Sequence, residues 1–210
     1  MKLGDQVGRR FARLATNVLV RAPGLWRLFR RPLALQFDRL ATRWDSMRDP
    51  EHLASVESAL AAIDSAPIRA LDLGTGTGAA AVAIARRWPE ADVVGVDIAP
   101  QMVEEARRKL PAELGSRVRF DVADAAHLPF PDASFDLVVL ANMIPFFDEL
   151  ERLVAPGGAV VFGYSGGSET PIYVPAERLR SQLQRRGFAH FADFSAGRGT
   201  ALLARKGNHP

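Results

Sequence analysis

The sequence predicts an α/β protein. We expect a doubly wound, seven-stranded sheet, mostly parallel, that ends in an antiparallel C-terminal hairpin strand and is preceded by N-terminal helices. Three observations carry this prediction. Between residues 69 and 186 short apolar runs alternate with helical segments, the order that a parallel sheet covered on both faces requires. Gly74, Gly76 and Gly78 make a turn between the first apolar run and an Ala-rich helix, leaving backbone amides uncovered at a helix N-terminus. Near the end of the chain two short runs are joined by Ser195-Ala-Gly-Arg-Gly199, a hairpin signal.

The elements follow in order. In the first twenty residues Val7, Phe11, Leu14 and Val18 recur at helical spacing with arginines between them; Pro23 interrupts, and residues 25–31 follow before Pro32. Residues 1–37 hold eight Lys/Arg against Asp5, a local charge of +7 that leaves −4 on the remaining chain. A basic amphipathic helix with Trp26 and Phe29 suits an anionic membrane surface, so residues 1–31 are a candidate for peripheral membrane contact. It equally suits a helix packed on the body with its arginines in water. Residues 1–35 are read as this leader and 36–210 as the main domain. Residues 36–47 lead to Pro50 and a helical stretch ending near Ile63, which Ser65-Ala-Pro67 breaks.

The first strand is 69–73 and its helix 78–87. The second strand is 92–97, with Pro100 opening a helix to Leu110. Residues 117–122 are the third strand, and a loop over 123–134 leads to the fourth, 135–140. Pro145 opens a short helix to Val154, and Pro156-Gly-Gly158 turns into the fifth strand, 159–164. Pro175 begins a helix that Gly187 stops, and 188–194 and 200–205 form the hairpin. Asn208, His209 and Pro210 read as a frayed end.

Composition narrows the function classes. With 210 residues, 48% hydrophobic and 24% charged, the chain is globular and large enough to bury a core. It has no cysteine, which excludes disulfides, zinc thiolate sites and cysteine nucleophiles; no metal site is expected. No apolar stretch approaches the ~20 residues of a membrane helix, and a signal-peptide core is lacking, so a cytoplasmic protein is expected. The net positive charge is confined to the leader, which argues for a local contact rather than for nucleic acid.

In an open parallel sheet, ligands bind beyond the carboxyl ends of the strands, where the strand order reverses. Polar signals stand at four such ends: Gly74-Thr75-Gly76-Thr77-Gly78, Asp97, Asp124 and Asn142. An acid ending the second strand is placed to accept both hydroxyls of a ribose. Asp124, with Ala125 beside it, is placed to accept from an adenine amino group.

Ala70-Leu-Asp-Leu-Gly-Thr-Gly-Thr-Gly78 resembles the first motif of class I S-adenosylmethionine (SAM)-dependent methyltransferases, and Val94-Gly-Val-Asp97 followed by Met102 resembles the second. Asp124-Ala-Ala-His-Leu-Pro-Phe130 with Ser134-Phe-Asp-Leu-Val138, and Leu153-Val-Ala-Pro-Gly-Gly158, are similar to later motifs in the same order. Phe37-Asp-Arg-Leu-Ala-Thr-Arg-Trp-Asp45 resembles the segment preceding this domain in small-molecule and quinone methyltransferases. The resemblance covers about residues 36–205 and implies a Rossmann-like fold with SAM as cofactor. It implies that Asp72, Gly74, Thr75 and Gly76 lie at the methionine and ribose end, with Gly78 serving helix–strand packing. Asp97 would hold the ribose hydroxyls, Ile98 and Met102 would pack near the adenine, and Asp124 and Ala125 would read its edge. Asn142, or its carbonyl, would lie near the methyl group, and Trp44 would close over the cofactor.

The implied reaction is methyl transfer to a small or lipid-like acceptor, walled by the N-terminal segment, residues 143–147 and the loop 164–175. Ile144, Phe146, Phe147, Ile172 and Tyr173 are the apolar candidates. No catalytic residue is assigned; His52, His127, Asp148 and Tyr173 are the side chains available as a base. Three other readings stay open: a SAM-binding sensor or subunit without transfer, a nucleic-acid methyltransferase, and a nicotinamide-dinucleotide enzyme. Asp72 inside the first strand argues against the last. Asn142-Met-Ile-Pro145, in place of Asn-Pro-Pro-Tyr, argues against amino groups of nucleic acids and proteins as acceptors.

Overall fold

The computed structural model describes the backbone of residues 3–208 and the side chains of residues 8–208. His209 and Pro210 of the expected frayed end, and Met1 and Lys2, lie outside the described residues, as do the side chains of Asp5 and Val7.

Helices α1 (Leu3–Leu19) and α2 (Trp26–Leu40) form the leader, and α3 (Ala54–Ala61) precedes the sheet. Then follow β1 (Arg69–Leu73), α4 (Ala79–Arg87), β2 (Asp92–Asp97), α5 (Pro100–Lys109), β3 (Val118–Val122) and β4 (Phe135–Ala141). The chain ends with α6 (Phe147–Leu153), β5 (Val154–Tyr164), α7 (Ala176–Gln184), β6 (Phe188–Ala196) and β7 (Gly199–Lys206). The seven strands lie in the order β3-β2-β1-β4-β5-β7-β6, with β7 alone antiparallel to its neighbours. Strand order reverses between β1 and β4, so the crevice opens beyond their carboxyl ends.

Strand alternation makes two cores. Leu71, Leu73, Val96, Leu140 and Phe162 face Leu19, Leu33, Leu150 and Leu179 from α1, α2, α6 and α7. Ala70, Val93, Leu137, Val139 and Val161 face Val56 and Leu60 of α3, Ile84 of α4, and Val103 and Ala106 of α5.

Four local expectations need correction. Pro32 was expected to end the second leader segment, yet α2 runs through it to Leu40, so the boundary at 35 and 36 falls inside a helix. A proline inside a helix costs about 3 kcal/mol. Trp26 and Leu33 are buried on one face of α2, and each such side chain contributes roughly 1.5–3 kcal/mol, enough to hold the helix together.

The fifth strand begins at Val154, not after the Pro-Gly-Gly turn. Val154 pairs with Phe135, the register then shifts, and Ala159 pairs with Leu137, so Pro156, Gly157 and Gly158 form an irregularity within β5. A Cβ at Gly158 would lie 2.9 Å from the Ala155 carbonyl, which reserves the position for glycine. Pro145 does not open α6, because Phe146 is non-helical at φ −109° and ψ 86° with its ring buried. The hairpin is tighter than expected: only Gly197 and Arg198 separate β6 from β7, with Gly197 at φ +54° as a two-residue turn requires.

Candidate functional site

The loop after β1 is tied down from both sides. The Gly74 and Thr75 amides both donate to the Val96 carbonyl at 2.9 Å, and the Gly76 amide donates to Asp97 Oδ2 at 2.9 Å. Asp72 Oδ2 accepts from Thr75 Oγ1 at 2.6 Å and from the Ala81 amide at 2.9 Å, so it fixes the loop and the first turn of α4 together. Gly74 and Gly76 have φ of +76° and +54°, a region that glycine enters without strain. A Cβ at Gly74 would strike Met143 Sδ at 2.6 Å; one at Gly78 would strike the Phe120 ring at 2.7 Å, in keeping with the packing role expected for Gly78.

A cavity opens at the carboxyl ends of β1, β2 and β4. Seven of the ten expected site residues line it: Gly74, Gly76, Asp97, Ile98, Met102, Ala125 and Asn142. Asp72 and Thr75 are buried behind the loop and do not line it, and Asp124 stands at its edge bound to the leader. Trp26, Leu33 and Phe37 reach in from α2, Trp44 and Arg48 from the following segment, and Met143, Ile144 and Ile172 from the opposite wall. The cavity encloses about 70 Å³, well under the roughly 300–1,000 Å³ of ligand pockets, because α2 and Met143 close over it.

The charges inside have traceable causes. Burial pushes the Asp97 carboxyl up, while the amides of Ala99 and Gly76 pull it back. Burial pushes Asp72 up to about 6 against the bonds from Thr75 and Ala81. Burial pulls the Arg48 guanidinium down, and the charges of Asp45, Asp72 and Asp97 hold it up. Arg48 lies 5.1 Å over the Trp44 ring, a cation–π contact. Arg48 Nε, Trp44 Nε1 and Asp72 Oδ1 are buried and lack a hydrogen-bond partner among the described residues. The first two belong to cavity-lining side chains. Buried polar groups left this way are uncommon and costly.

Two expected polar residues are spent on the scaffold. Asp124 Oδ1 accepts from Trp26 Nε1 at 2.6 Å and from the Ala126 amide at 3.0 Å, while Arg30 lies 3.6 Å from Oδ2. Asn142, at φ +56°, donates to Ser165 Oγ at 3.1 Å and accepts from the Ser165 amide at 2.9 Å, which clamps the ends of β4 and β5. Its side chain is turned to Ser165, so the backbone is what Asn142 offers the cavity.

None of the four candidate bases lines the cavity. Asp148 is paired with Arg186 at 2.6 Å, His127 is exposed, and Tyr173 packs on the Tyr164 ring at 5.1 Å. His52 faces a separate groove; burial and the nearby Arg48 charge lower its pKa. Of the expected acceptor wall, Ile144 and Ile172 line the cavity. Phe146 packs edge-on against Trp26 at 5.0 Å instead, and Phe147 lies under Arg186. Sequence reasoning missed Arg48 and Trp26. The signal for Arg48 was its position one helical turn after Trp44.

Residues 70–158 match the family model described as a methyltransferase domain. Over these residues the chain carries a methyltransferase domain. The demethylmenaquinone methyltransferase of Thermus thermophilus is 49% identical over 107 residues, 48% of each chain. The malonyl-[acyl-carrier protein] O-methyltransferase of Halorhodospira halophila is 36% identical over 146 residues, 65% of this chain and 49% of that protein. The present chain thus spans about half the length of the curated relatives it matches. The phosphoethanolamine N-methyltransferase 2 of Haemonchus contortus, solved with SAM, aligns at a TM-score of 0.59 and 19% identity over 75% of this chain and 52% of that one. At that identity it speaks to the fold of the methyltransferase domain alone.

Proposed function

We propose that this chain is a cytoplasmic SAM-dependent methyltransferase whose acceptor is a small or lipid-like molecule. The observation that carries the reading is the convergence of Gly74, Gly76, Asp97 and the Asn142 backbone on one cavity where the strand order reverses.

The residues present fit the cofactor. Asp97 keeps acceptor capacity for two ribose hydroxyls beyond its bonds to Gly76 and Ala99. Ile98, Met102 and Ala125 offer apolar contact to an adenine, and the bare backbone at Gly74 and Gly76 admits close approach. The unpartnered donors Arg48 Nε and Trp44 Nε1 suit the cofactor's carboxylate, and the free Asp72 Oδ1 gives this end of the site a compensating anion. The bound cofactor supplies an electrophilic methyl on a sulfonium. The chain holds the acceptor in line with it and excludes water beneath α2. Entry of the cofactor requires α2 or Met143 to shift from its present place.

Met143, Ile144 and Ile172 give the acceptor side an apolar wall, which favours a small or lipid-like molecule over nucleic acid. Incubation with methyl-labelled SAM and fractionated metabolite and lipid extracts tests the reading. We expect label in a small or organic-soluble product and release of S-adenosylhomocysteine. The absence of a candidate base among the cavity-lining residues favours a second reading, a SAM binder that performs no transfer. Tight S-adenosylhomocysteine binding without labelled product in any fraction would select it.

A further inference from the structure

Seven large hydrophobic side chains stand exposed among the described residues, and four belong to the leader: Leu14, Leu25, Leu28 and Leu35. Leu28 and Leu35 are the most open on α2, at 69% and 56% exposure. They lie seven residues apart, with Leu25 at the head of the helix and Pro32 between them. That spacing makes one stripe on the face opposite the buried Trp26 and Leu33. Arg27 and Arg31 border the stripe in solvent, and neither makes an ion pair among the described residues. No acidic residue occurs between Gln6 and Phe37.

We propose that this outward face of α2 docks on an anionic phospholipid surface. Leu25, Leu28 and Leu35 enter the boundary between headgroups and acyl chains, and Arg27 and Arg31 meet the lipid phosphates. Two alternatives fit less well. A nucleic acid would satisfy the arginines but leave the leucine stripe in water. A second copy of the chain would set one acid-free arginine face against another. No described helix is long and apolar enough to cross a membrane, so α2 lies on the surface rather than through it. The inner face of the same helix roofs the cavity, so docking sets the cavity beside the bilayer. A short path for a lipid-like acceptor then follows only if the proposed transfer is correct; the docking does not depend on it.

Cosedimentation of the full chain with vesicles tests the docking. Vesicles of phosphatidylcholine mixed with phosphatidylglycerol should pellet the protein, vesicles of phosphatidylcholine alone should not, and salt should release it. Replacing both arginines (Arg27→Gln, Arg31→Gln) should lower the partition about thirtyfold. Replacing both leucines (Leu28→Ser, Leu35→Ser) should lower it about tenfold or more. These side chains point into solvent, so the melting temperature should not move. Equal pelleting with both vesicle types, or pelleting that ignores both double variants, would overturn the proposal. So would a vesicle-free dimer that the leucine variant dissolves, or tighter binding to duplex DNA or RNA than to the mixed vesicles.

Discussion

Asp72 holds the glycine loop and the start of α4 through one oxygen and leaves the other buried without a donor. Burial raises its pKa to about 6, against a reference of 3.8. A carboxyl raised by folding stabilises the fold while protonated. That contribution is complete below about pH 4 and is lost as pH rises to about 6, roughly 3 kcal/mol in all. Asp72→Asn is neutral at every pH and escapes the loss. In urea denaturation without cofactor, the stability of Asp72→Asn relative to wild type should climb by about 3 kcal/mol between pH 4 and pH 7; a difference that stays flat would contradict the assignment. The identity of this acid was legible in the sequence because it sits two residues before the loop. The aim of its side chain was not, since that depends on Ala81, a turn into the next helix. Asn142 and Asp124 were legible as strand-end polar residues for the same reason. Their partners, Ser165 and Trp26, come from 23 and 98 residues away and could not be read locally.

Helix α2 is fastened at both ends. Trp26 donates to Asp124 at its start, and near its end Asp38 Oδ1 accepts from the Gln101 amide at 2.9 Å in the first turn of α5. Between them Pro32 removes one backbone hydrogen bond, and the sequence suggested a helix end there. Packing of Trp26 and Leu33 outweighs that local preference, which is why the leader's second helix continues past the expected boundary. A bond from an indole N–H to a carboxylate contributes about 1.5–3 kcal/mol. A double-mutant cycle in urea denaturation with Trp26→Phe and Asp124→Ala should return a coupling of about that size. The same variants should lower the hydrogen-exchange protection of α2 amides. A coupling near zero would mean that the helix is held by packing alone.

The molecule as a whole is a sheet with two separately packed faces and one crevice, and both were readable in the order of apolar runs, glycines and acids. Strand–helix alternation is a chain-local pattern, and the reversal between β1 and β4 follows from winding it both ways. The roof was harder to read. Whether a basic amphipathic leader lies on the body or on a membrane is set by its two faces, and here both are apolar: Trp26, Leu33 and Phe37 face the cavity while Leu25, Leu28 and Leu35 face solvent. The central claim is that this roofed crevice is a SAM site with Asp97 on the ribose and Arg48 on the carboxylate. Calorimetric titration of S-adenosylhomocysteine into the wild type, Asp97→Ala and Arg48→Gln tests it most directly. Losing two hydrogen bonds to a charged acceptor should weaken binding to Asp97→Ala about a hundredfold or more, and losing the guanidinium should weaken binding to Arg48→Gln about tenfold or more. Both variants should keep a cooperative thermal transition. Wild-type affinity in a folded Asp97→Ala protein, or no heat of binding in the wild type itself, would contradict the account.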